Sequence, residues 1–147
     1  MPSVTSRLIK APPSDVWAVL SDGWLYGLWV VGASRIREVD DDWPAEGSKI
    51  HHSVGTWPLL IDDDTEVEEA YPLRELLLRA RAWPGGEAAV RISIEEQGAE
   101  CLVTITEEAV KGPGALIPGP VQNAVLHWRN KETLERLAFI VERRPRD

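Results

Sequence analysis

The sequence predicts an α+β fold in which a curved antiparallel sheet of seven strands wraps around one long C-terminal helix. Before the Gly/Pro-dense stretch 111–120, apolar and polar residues mostly alternate with a period of two, which is typical of strands. The connections between these segments are too short for parallel crossovers, so neighbouring strands are expected to be antiparallel. After 111–120 the apolar period changes to 3.6, which indicates a helix that buries one face against the sheet.

The individual elements follow in order along the chain. The first strand, at 4–10, ends where two prolines in 11–15 break the extended chain and begin a helix that runs to Gly23. A second short helix or turn at 23–28 follows, so two short helices separate the first two strands. The six remaining strands are bounded by turn residues. They are predicted at 35–39, 48–55, 60–71, 74–83, 88–95 and 101–108.

The terminal helix is predicted over 121–143, a length of about 35 Å. Its polar side carries Arg129, Glu132 and Glu135, which are expected to face away from the sheet. The residues expected on its buried face are His127, Asn130, Leu134, Leu137, Ala138 and Val141.

Composition limits the classes of protein to which the chain can belong. The 147 residues predict a single domain, 1–147, and contents of 44% hydrophobic and 27% charged residues are typical of folded globular proteins. Sixteen Lys plus Arg against 24 Asp plus Glu give a formal net charge of −8, which makes nucleic acids and anionic membranes poor partners. Polyanions are therefore poor candidates for a partner.

Targeting, redox and metal signals are few. The N-terminus lacks the pattern of a signal peptide and the longest apolar stretch, 24–33, is too short to cross a bilayer, so we expect a cytoplasmic protein without membrane insertion. The single cysteine, Cys101, excludes an intramolecular disulfide and a multi-thiolate metal site. The acidic runs 40–42 and 62–64 lack the spacing of a calcium loop, and no phosphate or dinucleotide motif occurs. We therefore expect neither a metal nor another cofactor.

Two predicted strands present small side chains toward the helix. On 74–83 and 88–95, charged residues such as Arg79 and Arg91 occupy one face, so the apolar positions must face inward. Half of these inward positions are Ala or Val, which leaves space opposite the helix unless larger side chains fill it. The inward residues include Leu78, Ala80, Val90 and Ile92. The tryptophans available to line or to plug this space are Trp17, Trp29, Trp57, Trp83 and Trp128.

A polar stripe continues the apolar face of the terminal helix toward its N-terminus. Asn123, His127 and Asn130 recur at spacings of four and three, which places them near one another on the helix surface. A polar patch at one end of an apolar cavity would orient the head group of a ligand. His127 is then a candidate hydrogen-bond donor or general acid/base, and the alternative is a histidine satisfied at the rim.

Two further candidates come from strand alternation. His51 and His52 point to opposite faces of their strand, and His52 is expected to be the inward one. Glu107 shares its parity with the apolar positions of 101–105, which places its carboxylate on the inner face. It is a candidate general acid or a partner for His127, and the alternative is a carboxylate held by an arginine or a backbone N–H.

The element order, together with segments 9–20 and 26–29, Gly47-Ser48, and Glu107 ahead of the Gly/Pro loop, resembles the START-related helix-grip (SRPBCC) superfamily. Within it, the sequence looks most like the polyketide cyclase/dehydrase-like and lipid-transport-like branch. The resemblance covers nearly the whole chain and implies an elongated cavity between sheet and terminal helix, open near the loop that precedes the helix. Members range from ligand carriers and aromatic cyclases to chaperone cofactors, so the resemblance specifies the fold and not the activity.

Three hypotheses follow. The first is a carrier that binds a hydrophobic, aromatic, polyketide-like or lipid-like small molecule in the cavity. The second is a cofactor-independent cyclase or dehydratase in which His127, Glu107 or His52 moves protons. The third is a protein-interaction module whose core is plugged, with no cavity above about 300 Å³. The residues expected to contact a ligand are Trp29, His52, Trp57, Leu78, Ala80, Val90, Ile92, Glu107, Asn123, His127 and Asn130.

Overall fold

A computed structural model describes residues 2–31, 33–54, 61–82 and 86–143. Within these ranges, seven strands form one antiparallel sheet in the order β1-β7-β6-β5-β4-β3-β2. The strands are β1 (Ser3–Ile9), β2 (Ala33–Val39), β3 (Lys49–Val54), β4 (Ile61–Tyr71), β5 (Glu75–Ala82), β6 (Gly86–Gln97) and β7 (Glu100–Lys111). The predicted α+β class, the seven-stranded sheet and the short helices between the first two strands are confirmed.

Two short helices connect β1 to β2. Helix α1 (Pro13–Leu20) has a proline in its first turn, where the missing N–H has no intrahelical partner to lose. A 3₁₀ turn at Gly23–Leu25 is capped by Asp22, whose carboxylate accepts a hydrogen bond from the Trp24 backbone N–H at 3.2 Å. Helix α2 (Tyr26–Trp29) follows directly and buries the side chains at both of its ends.

The hairpin of β6 and β7 is longer than the sequence predicts. Its register runs from Gln97↔Glu100 at the turn to Glu87↔Lys111 at the far end. Charged residues such as Glu108 and Lys111 interrupt the apolar alternation near that end, so the pattern stops before the backbone pairing does. The extra length extends the sheet beneath the first turns of the terminal helix.

The terminal helix α3 (Gly119–Arg143) begins two residues earlier than predicted. Its C-terminal half packs into the core through Leu134, Leu137, Ala138 and Val141, which are all buried. In its N-terminal half, Val121, Val125 and Trp128 are exposed instead. The helix lies along β1 and against α1 and α2. Its two halves therefore differ in how firmly they are held.

Across the described ranges, no helix is both long enough and apolar enough to span a membrane.

Candidate functional site

An internal cavity of about 320 Å³ lies between the inner face of β5, β6 and β7 and the N-terminal half of α3. Small side chains on the concave sheet, Ala80, Ala88 and Ala109, leave this volume unfilled. Helix α2 closes one side, and Val121 and Val125 of α3 line the opening. The remaining apolar wall is formed by Leu78, Val90, Ile92, Ile105, Ile117 and Leu126.

Strand alternation correctly located the wall of this cavity. Leu78 and Ala80 of β5 and Val90 and Ile92 of β6 all line it, as their inward parity requires. The cavity exceeds the 300 Å³ that the plugged-core hypothesis allows, by a small margin. Contact of these residues with a ligand remains a prediction.

The tryptophans mostly lie elsewhere. Trp29 lines the cavity, whereas Trp17 is half-buried against the core and Trp128 is 73% exposed. Trp57 and Trp83 fall outside the described residues. In the part of the chain that the structure describes, the indoles therefore do not plug the cavity.

One polar cluster interrupts the apolar wall. The Glu107 side chain, on β7 opposite Val90 of β6, is only 4% exposed. Arg129 donates a short hydrogen bond from Nη2 to Oε2 of Glu107, and Asn130 donates from Nδ2 to Oε1 at 3.1 Å. Both carboxylate oxygens thus have a donor, and the guanidinium balances the buried negative charge.

Arg129 is one of the cavity residues that sequence reasoning missed. We expected it to face away from the sheet, because an arginine on an amphipathic helix usually marks the solvent side. Its side chain is 35% exposed, yet its guanidinium contacts the buried Glu107 carboxylate. The signal that points to it is Glu107, since a buried carboxylate requires a cation or several donors.

His127 and Asn123 do not lie where the predicted polar stripe placed them. The Nδ1 atom of His127 lies 2.9 Å from Thr5 Oγ1, and Ser3 donates a hydrogen bond from Oγ to the Asn123 carbonyl oxygen at 3.5 Å. The His127 side chain and the Asn123 backbone contact β1, and neither residue lines the cavity. Because α3 turns roughly 100° per residue, the cavity face is centred near Arg129, with Asn130 at its margin and His127 well outside it. The predicted three-residue patch is therefore corrected to Asn130 alone.

His52 is buried, as alternation predicts, but it lies behind the cavity wall. Its Nε2 atom is 2.8 Å from Thr65 Oγ1, which in turn is 3.2 Å from Tyr26 Oη. The His52 ring stacks on the Tyr26 ring with centroids 5.9 Å apart. Tyr26 lines the cavity, so a chain of three side chains connects His52 to it.

Burial keeps both end groups of this hydrogen-bond chain, His52 and Tyr26, uncharged. It lowers the pKa of His52 below its ordinary value, against the opposing pull of the Asp63 and Asp64 carboxylates. It raises the pKa of Tyr26, against the opposing hydrogen bond from Thr65. Near neutral pH, His52 is therefore an uncharged imidazole and Tyr26 a protonated phenol.

Within the described ranges, no group of three or more His, Cys, Asp or Glu side chains is arranged to hold a metal ion. The polar groups of the cavity wall are the Glu107–Arg129–Asn130 cluster, the Tyr26 phenol with His52 behind it, and the side chains of Glu87, Gln122 and Thr133.

Sequence comparison identifies the family. The family model described as polyketide cyclase / dehydrase and lipid transport matches residues 1–142. The chain belongs to this family. Membership in the polyketide cyclase / dehydrase and lipid transport family confirms the resemblance to the START-related helix-grip superfamily. No curated protein shows significant similarity to the chain.

Solved structures with the same fold cover the chain almost completely. Protein MLL2253 from Mesorhizobium loti has a TM-score of 0.72 at 16% identity, covering 99% of this chain and 100% of that one. Protein NE0264 from Nitrosomonas europaea has a TM-score of 0.75 at 16% identity, covering 97% and 94%. The di-domain ARO/CYC StfQ from the steffimycin biosynthetic pathway has a TM-score of 0.72 at 11% identity, covering 96% of this chain and 50% of that one. At these identities the likeness extends to the fold alone.

Proposed function

We propose that the protein binds a hydrophobic small molecule, aromatic, polyketide-like or lipid-like, in the cavity between the sheet and α3. The observation that carries the proposal is an apolar cavity of about 320 Å³ with one charge-balanced polar cluster in its wall. Specific small-molecule sites combine a mostly apolar lining with a few placed polar groups, in volumes from about 300 Å³ upward.

The polar cluster limits the charge of the ligand. Arg129 already balances Glu107, so an ionised ligand would enter an apolar space without a counter-charge of its own. An uncharged molecule avoids that cost. The guanidinium of Arg129 carries five N–H donors and directs one to Glu107, so it can also donate to an acceptor oxygen of such a ligand. We therefore propose a neutral ligand.

The cavity opening supports access for such a ligand. Val121 and Val125 line the cavity and are also exposed, so an apolar surface leads from the exterior to the interior. The single cysteine, Cys101, is buried and free, which is compatible with the reducing cytoplasm that we propose as the location of the protein.

Two experiments test the proposal. Small molecules extracted from the purified native protein are identified by mass spectrometry. Fatty-acid methyl esters, flavonoids and an environment-sensitive dye are then titrated while tryptophan emission is followed, because Trp29 lines the cavity. We expect midpoints in the micromolar range, about −8 kcal/mol. No response to any of these compounds would contradict the proposal.

Adjacent alanines provide a matched control. Ala88 lines the cavity, whereas Ala89 is on the opposite face of β6. Ala88→Phe should fill part of the cavity and weaken binding at least tenfold, and Ala89→Phe should leave affinity within about twofold. Equal effects of the two substitutions would place the ligand elsewhere.

A second candidate function is proton-transfer catalysis of the cyclase or dehydratase type. The observation that favours it is the hydrogen-bond chain from His52 through Thr65 to Tyr26, which joins a titratable group to the cavity. Glu107 is a weaker candidate for an acid, because both of its oxygens accept hydrogen bonds, and His127 lies off the cavity. Incubation with a linear poly-β-ketone thioester, followed by chromatography for cyclised product, tests this. If Tyr26→Phe does not reduce product formation, the hydrogen-bond chain from His52 to Tyr26 takes no part in the reaction.

A further inference from the structure

We infer that Tyr26 and Trp29 form a two-donor subsite for a carbonyl oxygen of the bound molecule, and that His52 acts through Thr65 as a positioning residue for the Tyr26 hydroxyl. This inference rests on the proposed binding function and specifies the chemistry of its ligand. The ligand class is an uncharged apolar molecule that carries a ketone or ester carbonyl.

The first step concerns Trp29. Its side chain is buried, with 3% of the residue exposed, and it lines the cavity. Its Nε1 atom has no hydrogen-bond partner within the residues that the structure describes. Native proteins seldom leave a buried N–H unpaired. Trp43 shows the usual arrangement, since its buried Nε1 donates to the Leu20 carbonyl oxygen at 3.1 Å. Nε1 itself has almost no accessible surface, so an acceptor supplied by a ligand would complete Trp29 in the same way after a small rotation of the indole toward the cavity.

The second step places the two donors together. Tyr26 and Trp29 are three residues apart on α2, so their side chains share one face of the helix. Their ring centroids are 5.3 Å apart in an edge arrangement, and both rings line the cavity. The nearby Glu107 carboxylate already accepts from Arg129 and Asn130. The two α2 donors are therefore left for another acceptor.

The third step assigns the proton on His52. A neutral imidazole carries one N–H, on either Nδ1 or Nε2. Nδ1 is buried and has no partner among the described residues, whereas Nε2 lies 2.8 Å from Thr65 Oγ1. Leaving a buried nitrogen acceptor without a hydrogen bond costs less free energy than leaving a buried N–H without one. We therefore assign the proton to Nε2. His52 then donates to Thr65.

The fourth step follows the chain to the cavity. Because Thr65 Oγ1 accepts from His52, its single hydrogen is directed to the next acceptor, Tyr26 Oη at 3.2 Å. Tyr26 thus accepts from Thr65 and keeps its own O–H for the cavity. With the indole N–H of Trp29, this gives two donors and no acceptor on α2. Two donors on one helix face match an oxygen that accepts without donating, and a carbonyl oxygen has two lone pairs with which to accept from both.

Two ligands of the same shape separate this inference from the proposed function. They are 2-acetylnaphthalene, which carries a ketone, and 2-isopropenylnaphthalene, in which a methylene group replaces the oxygen. Calorimetry measures both affinities, and infrared spectroscopy measures the carbonyl stretch of the bound ketone, which shifts to lower frequency on hydrogen bonding. We expect the native protein to bind the ketone about 10-fold more tightly and to lower its carbonyl frequency.

Tyr26→Phe removes only the hydroxyl and should reduce the ketone preference about 3- to 10-fold, with most of the frequency shift lost. Trp29→Phe should do the same, and Trp43→Phe is its control, because that indole already has a backbone acceptor. His52→Leu should lower the preference for the ketone. His52→Gln should keep it near the native value, because the glutamine amide donates to Thr65 in place of Nε2–H.

The outcomes are distinct. If the alkene binds and the native protein shows neither a ketone preference nor a frequency shift, the two-donor subsite is wrong and the binding function stands. If Tyr26→Phe and Trp29→Phe retain the native preference and shift, the subsite is also wrong. If neither naphthalene binds, and none of the compounds titrated to test the proposed function binds either, the proposed function is contradicted and this inference with it.

Discussion

Arg129 on α3 and Glu107 on β7 form the ion pair that joins the terminal helix to the sheet at the cavity wall. The carboxylate is almost completely buried, whereas the guanidinium side chain is about one-third exposed. The two residues are therefore unequal partners. Removing the arginine leaves a charge in an apolar surrounding, and removing the carboxylate leaves a cation that can turn toward water.

Arg129→Met should consequently destabilise the protein more than Glu107→Gln. We expect a loss of about 2 to 4 kcal/mol for Arg129→Met, below the range for fully buried pairs because Arg129 is partly exposed. Glu107→Gln should cost about 1 kcal/mol, since the amide keeps an oxygen to accept from Asn130. Urea unfolding of both variants measures the difference. Equal losses would contradict this account of the pair.

The orientation of α3 about its axis predicts that substitutions at Leu137 and Glu135 differ in their effect on stability. Leu137 is fully buried in the core, so Leu137→Ala should lower the free energy of unfolding by about 2 to 5 kcal/mol. Glu135 is exposed and its contact with Arg7 is a surface pair at 3.9 Å, so Glu135→Ala should change stability by less than about 0.5 kcal/mol. Denaturant midpoints of the two variants provide the comparison. Similar small effects would mean that the helix is rotated from the position described.

Protonation of His52 should destabilise the folded state in mild acid. Burial lowers the folded-state pKa of His52 below its unfolded value of 6.5, so the unfolded chain binds the additional proton between the two values. The stability that neutral His52 contributes is complete above pH 6.5 and is lost as the pH falls below it, by at most about 1.4 kcal/mol per pH unit.

Comparison with His52→Gln isolates this contribution from those of His51, His127 and the carboxylates. Unfolding free energies measured between pH 7.5 and 5.5 should fall more steeply for the native protein than for the variant. Parallel curves would show that His52 keeps its ordinary pKa.

His127→Leu should leave binding unchanged, because His127 faces Thr5 on β1 and does not line the cavity. Loss of one partly buried hydrogen bond should lower stability by about 0.5 to 1.5 kcal/mol. Calorimetric titration of a polar-headed ligand and its headless analogue to both proteins is the measurement. A selective loss of affinity for the polar-headed ligand would return His127 to the site.

Sheet positions were predictable where helix positions were not. Alternation fixes the face of every strand residue, so Val90, Ile92 and Glu107 could be placed inside from sequence alone. On a helix, residues at the margin of the buried stripe face either way, and long side chains extend beyond their own position. Arg129 and His127 were both misassigned, because the cavity face of α3 is centred near Arg129 and His127 lies outside it.

Tyr26 was missed for a different reason. Helix α2 is a single turn of four residues, too short to show a hydrophobic period, so no pattern separates Tyr26 from the exposed Leu28. His52 was correctly placed inward, but its separation from the cavity by Tyr26 is a tertiary relationship between α2 and β3. Strand parity carries no information about what stacks on a strand.

The unequal attachment of the two halves of α3 has a consequence for local opening. Residues 130–143 are held by Leu134, Leu137, Ala138 and Val141, which are buried in the core. Residues 119–129 rest on β1 through contacts such as that of His127 with Thr5, and several of their apolar side chains face solvent. Amide hydrogens in the first half should therefore exchange with solvent deuterium much faster than those in the second half, because opening there exposes little apolar surface. A molecule bound beneath the helix would slow exchange in the first half selectively, so deuterium uptake along α3 would report cavity occupancy without any label on the ligand.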